Sequence, residues 1–228
     1  MKKVLKILLI ILVLLAIAAG SVAIWQRKNI QSIMLGVKEE SIEIEKKRND
    51  NQTNLVDDVN TYMDEPVREM TEEEKRQVEE GKATISDVYQ KIFEEKNEIK
   101  AEDKQTNSSN KTETKDEIIS RHMAELYRLQ NEFTARAEAT IKQGANYYES
   151  INAHPQDPVA RSKTIAHFTP IVRGMESECD AKVENVISSL KAELQKIGED
   201  TAIIASIKAT YANEKQLKLS YYANKYLK

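Results

Sequence analysis

The strongest constraint on this chain is a run of nineteen residues without a charge, from Ile7 to Trp25. As a helix that run would be about 28 Å long, which matches the hydrocarbon core of a bilayer. Lys2, Lys3 and Lys6 precede it, Trp25 stands where an interfacial aromatic belongs, and Arg27 and Lys28 follow. The three lysines and the terminal amine outweigh the later pair. The positive-inside rule therefore predicts a single-pass protein of the cell membrane, with a cytoplasmic amino terminus and an extracytoplasmic body.

Two rival readings of the run have to be weighed. Ser21-Val22-Ala23 is a small-x-small peptidase site, and cleavage after Ala23 would release the body as a secreted protein. The apolar run continues through Ile24 and Trp25 to full spanning length, which favours a retained signal-anchor. A lipoprotein is excluded, because Ser21 stands where the lipidated cysteine would be. About six residues would remain inside, too few for a domain, so any inward signal would need a membrane partner.

The rest of the chain reads as helix. Of 228 residues only six are Gly and four are Pro, while 31% are charged. Sheet proteins need turn-formers every eight to twelve residues, and no such rhythm is present. Residues 38–104 carry twelve basic and twenty-one acidic side chains, against seventeen and sixteen in residues 105–228. No segment has the basic footprint of a nucleic-acid binder. The single cysteine, Cys179, forms no intramolecular disulfide, so packing alone must hold the fold.

These patterns predict an all-α protein with four parts. Residues 1–28 form the anchor, residues 29–100 an acidic helical stalk, residues 101–115 a polar linker, and residues 116–228 an elongated antiparallel three-helix bundle. In the stalk, Ile30, Met34, Val37 and Ile44 share a stripe, and the polar cluster at 48–54 is expected to end that helix. A short helix from Leu55 to about Met63 should follow, before Pro66. Thr71 and Glu74 form a capping box, Gly81 is a stop, and Ser86 is expected to open a helix to about Lys100 with Ile85, Val88, Tyr89, Ile92, Phe93 and Ile99 on its apolar face.

The distal half repeats more strongly. Thr114 and Glu117 form a second capping box, after which Ile119, Met123, Leu126, Gln130, Phe133, Ala137, Thr140, Gly144, Tyr147 and Ile151 alternate four and three apart. Gln130, Thr140 and Gly144 make a weak two-stranded seam, so a bundle that also covers Leu129, Ile141 and Tyr148 fits better. Asp157-Pro158 is a cap with proline at the first helical position, and Thr169-Pro170 is expected to repeat that start. Val172, Met175, Cys179, Val183, Val186, Leu190, Leu194 and Ile197 follow an eleven-residue period, which specifies a nearly straight helix. Gly198 should end it and Asp200 cap the last helix. There Ile203, Ile207, Leu217 and Tyr221 share a face interrupted by Thr210 and Glu214.

Candidate chemistry is sparse. His122, His154 and His167 lie on different elements without metal-ligand spacing, and His122 with Glu125 reads as a surface pair. Cys179 sits at a core position and reads as a small buried hydrophobe. No glycine-rich phosphate cradle occurs. Neither a catalytic residue, a cofactor nor a small-molecule substrate is indicated. The one unusual surface is a basic-aromatic strip, Lys215, Lys218, Tyr221, Tyr222, Lys225, Tyr226 and Lys228, suited to an anionic surface. An ordinary bundle helix, with lysines at its negative dipole end, accounts for it better.

The sequence thus points to a membrane-anchored, non-enzymatic scaffold or interaction subunit of a cell-envelope complex. Its partners would be the membrane, through residues 7–25, and a protein or second copy along its helical faces. A secreted effector or lipid-binding bundle, and a ligand-sensing ectodomain of a receptor complex, are the alternatives.

Overall fold

The computed structural model describes residues 41–104, 113–152 and 157–227 of the chain. The expected anchor and peptidase site, and most of the polar linker, lie outside the described residues. Six helices occur among the described residues, and no strand: α1 (Ser41–Tyr62), α2 (Glu72–Glu79), α3 (Ile85–Lys104), α4 (Lys115–Ile151), α5 (Pro158–Lys196) and α6 (Ile203–Leu227). The protein is all-α, a helical bundle. None of the described helices is long and apolar enough to cross a membrane.

The chain divides into two compact units. Among the described residues, the first joins 51–104 and 113–132 to 179–210, and the second joins 41–50 to 133–152, 157–178 and 211–227.

In the first unit the core forms where the apolar stripes of α3, α4 and α5 are buried. Val88, Tyr89, Ile92 and Phe93 of α3 are buried, as are Ile119, Met123, Tyr127 and Leu129 of α4 and Val183, Ile187, Leu190 and Leu194 of α5. Tyr127 packs its ring 5.7 Å from that of Tyr89 and 6.0 Å from that of Phe93. Each such side chain contributes roughly 1.5–3 kcal/mol by leaving water. Helices α4 and α5 run antiparallel here. Arg121 meets Glu193, and eleven residues further along α4 Glu132 meets Lys182, eleven residues earlier on α5. Eleven residues are three turns at about 3.67 residues per turn, so both pairs fall on the same faces of α4 and α5, in step with the eleven-residue period.

The second unit shows the same step within itself. Arg136 pairs with Glu178 at 2.7 Å, and eleven residues on Tyr147 stacks on His167 with ring centroids 4.8 Å apart. Phe133, Tyr148, Ala160 and Phe168 are buried there.

The caps follow the local chemistry. Thr71 and Glu74 make both capping-box bonds, and Thr114 and Glu117 do the same at α4. Asp157 accepts the N–H groups of Val159 and Ala160 at the start of α5. The left-handed φ values of Gly81 (67°) and Gly198 (79°) end their helices, a conformation that glycine adopts without a Cβ penalty.

Four local expectations are corrected. The polar cluster at 48–54 does not end a helix: α1 runs through it, because tertiary partners outweigh its weak propensity. Within the first unit Asn51 Nδ2 donates to the Thr210 carbonyl at 3.4 Å, and Thr53 accepts the Tyr89 hydroxyl at 3.3 Å. Thr84, not Ser86, caps α3: its hydroxyl accepts the Asp87 N–H while Asp87 reaches back to the Thr84 N–H. Ser86 is instead buried and donates to Asn131 Oδ1 at 2.6 Å. Thr169-Pro170 opens no new helix, since Pro170 lies inside α5. The carbonyl four residues back belongs to the exposed Ala166, where water can replace the missing N–H. Finally, His122 is buried rather than a surface residue.

Candidate functional site

The first unit contains an open groove of about 460 Å³ between α3, α4 and α5. Its floor is the stripe on α4 formed by Arg121, Glu125 and Arg128, at positions i, i+4 and i+7, together with the buried His122 and Ala124. Glu94 and Asn97 of α3 form one wall. Asn185 and Ser189, one turn apart on α5, form the other. The volume lies in the range of small-ligand clefts.

The arginines of the floor are already committed. Arg128 grips Glu125 through two bonds of 2.6 and 2.7 Å and reaches Glu132 at 3.3 Å. That grip holds the Glu125 carboxyl below its ordinary range. Arg121 donates to Glu113 at 3.1 and 3.3 Å and to Glu193 Oε2 at 2.5 Å. Burial works to lower its pKa, but the two carboxylates outweigh it and the guanidinium is raised. Glu193 mirrors this: burial works upward, and Arg121 with His122 brings the carboxyl down.

His122 sits at the centre. Its Nε2 lies 3.2 Å from Glu193 Oε1 and 3.4 Å from Arg121 Nη1, so one ring nitrogen faces an acceptor and a donor together. Burial lowers the imidazole pKa, Arg121 adds to the lowering, and Glu193 opposes it. No group of three or more His, Cys, Asp or Glu side chains among the described residues could hold a metal ion. The inward position of His122 was legible in principle, since Ile118, His122 and Leu129 fall on one stripe of α4 beside the heptad seam.

The basic-aromatic strip is spread over different surroundings. Lys215 pairs with Glu176 at 2.9 Å and stands over the Tyr211 ring, and Lys218 donates to the Thr134 hydroxyl. Tyr221 lies under the Arg48 guanidinium at 5.5 Å, and Tyr222 is buried. Lys228 is outside the described residues, as are the side chains of Lys225 and Tyr226. Cys179 is half-buried on α5.

Comparison of the chain with protein-family models, with curated proteins and with solved structures finds no match.

Proposed function

We propose that this is a membrane-anchored, extracytoplasmic helical protein that acts through its surfaces, as a non-enzymatic scaffold or interaction subunit of a cell-envelope complex. The observation that carries the reading is the uncharged run from Ile7 to Trp25, lysine-led and closed by Trp25, Arg27 and Lys28, ahead of a polar helical body. The pairing of the groove arginines with carboxylates also suits a surface role. It leaves neither groove arginine as a free cation.

The test is crosslinking in intact cells followed by detergent extraction and affinity capture of the full chain. A defined heteromeric or self-associated complex in the membrane fraction is expected. Recovery as an uncrosslinked monomer from the membrane would overturn the scaffold reading. The alternative, a secreted bundle, rests on Ser21-Val22-Ala23, and a mature protein beginning at Ile24 would establish it over the anchor.

A further inference from the structure

We propose that His122 is a proton-operated latch between α4 and α5, so that acidification loosens this contact and reshapes the groove that Arg121 and His122 line. The geometry is that of one nitrogen with two incompatible neighbours. If Nε2 carries the proton of the neutral ring, it donates to Glu193 and meets the Arg121 donor as a mismatch. If Nε2 is bare, it accepts from Arg121 and turns a lone pair toward the Glu193 carboxylate. Neither tautomer satisfies both contacts.

A second proton removes the choice. The imidazolium must donate from Nε2 to Glu193 Oε1 and becomes a like charge for Arg121. Arg121 has somewhere to go, because Glu113 already accepts from its Nε and Nη2. Proton uptake therefore releases the Arg121–Glu193 staple and leaves an imidazolium–carboxylate pair, between a buried ring and a half-exposed glutamate, as the remaining link at this point.

The charged groups around the ring decide the direction. From α4 come Arg121, Glu125 and Arg128, from the segment ahead of it Glu113, from α5 Glu193, and from α3 across the groove Glu94. Glu193 and Arg121 both contact the ring nitrogen; burial and Arg121 oppose the charged form, and Glu193 favours it. The latch's contribution is fully present above the ordinary imidazole value of 6.5 and is lost as pH falls from there through the lowered folded value.

Hydrogen exchange of the full chain in mild detergent, at about pH 7.5 and about pH 5 and corrected for the intrinsic chemical rate, tests this. Amides flanking His122 and Glu193 are expected to lose protection at the lower pH, and His122→Gln is expected to abolish that acid-dependent loss. Equal protection at both pH values in the wild type, or the same acid-dependent loss in the variant, would overturn the proposal. Should His122→Gln fail to fold by circular dichroism, Glu193→Gln supplies the second arm. Without its carboxylate the imidazolium is harder to accommodate, so the acid-dependent loss should grow, and an unchanged pH ratio sinks the latch.

Discussion

Asp116, in the first turn of α4, accepts the backbone N–H of Asp64 at 2.8 Å, and its second oxygen accepts the next N–H, that of Glu65, at 2.9 Å. One buried carboxylate thus closes the turn that leads away from α1 and holds it to the start of α4, within the first unit. Lys115 adds an ion pair to the Asp64 side chain at 2.5 Å. The segment before Pro66 has no helix of its own to satisfy its backbone, so this contact does that work.

Asp116→Ala should therefore leave two backbone donors without their acceptor. Because Asp64 and Glu65 are themselves exposed, water can take up part of the loss. The expected cost is about 2 kcal/mol, below the sum of two unsatisfied buried donors. Urea denaturation of wild type and variant measures it. An unchanged midpoint would mean that the turn is held by other contacts.

Glu74 makes the acid stability of the first unit predictable. Its side chain accepts from Arg68 at 2.7 and 2.8 Å and from the Thr71 N–H and hydroxyl, with Lys91 at 3.6 Å. Chiefly through Arg68, its pKa falls from an ordinary 4.5 to about 2. A depressed carboxyl pKa contributes stability that is present above 4.5 and lost as pH falls through about 2. Glu74→Gln keeps a capping side chain but removes the charge. The wild-type advantage over the variant should shrink steadily across that window, as denaturation at a series of pH values would show.

The sequence stripes marked helix faces well, because burial is periodic whatever the partner. None of the eight eleven-period positions from Val172 to Ile197 is exposed, and Leu129 and Tyr148 are buried beside the heptad seam as a bundle requires. Capping boxes were legible for the same local reason. Polar residues were not, since their fate depends on who faces them. Asn51 and Thr53 stay helical through partners in α6 and α3 that are far along the chain, and although the α4 stripe marks His122 as inward, the glutamate it meets is 71 residues away. The groove was invisible to the sequence because its two walls come from α3 and α5, and only the packed unit brings them to the α4 stripe.

Two glycines should respond to alanine with opposite signs. Gly198 has φ 79° and open space around a Cβ, so Gly198→Ala isolates backbone strain and should cost about 1–2 kcal/mol. Gly174 lies exposed inside α5, again with nothing within 4 Å of a Cβ. Gly174→Ala should stabilise by about 0.5–1 kcal/mol through helix propensity alone. Thermal unfolding of the two variants checks both signs at once.

The interruption at Glu214 in the apolar face of α6 is answered, within the second unit, by Arg48. Arg48 reaches Glu214 at 3.0 Å through both Nε and Nη2, and its guanidinium also stands over the Tyr221 ring. Both partners are largely withdrawn from water, with side chains 19% and 7% exposed. Their attraction must therefore offset a desolvation cost that an apolar pair would not incur. Glu214→Leu alone leaves the half-buried arginine without its carboxylate and should destabilise by about 2 kcal/mol, less than for a fully buried pair because Arg48 keeps some solvent and its ring contact. Adding Arg48→Met should restore most of that loss, since the face then carries an apolar side chain at 214, next to Leu217 and Tyr221, with an apolar partner opposite. The double-mutant cycle in urea reads this directly. If the double variant is no more stable than Glu214→Leu, the pair holds α6 by its charge and not by filling the gap in its apolar face.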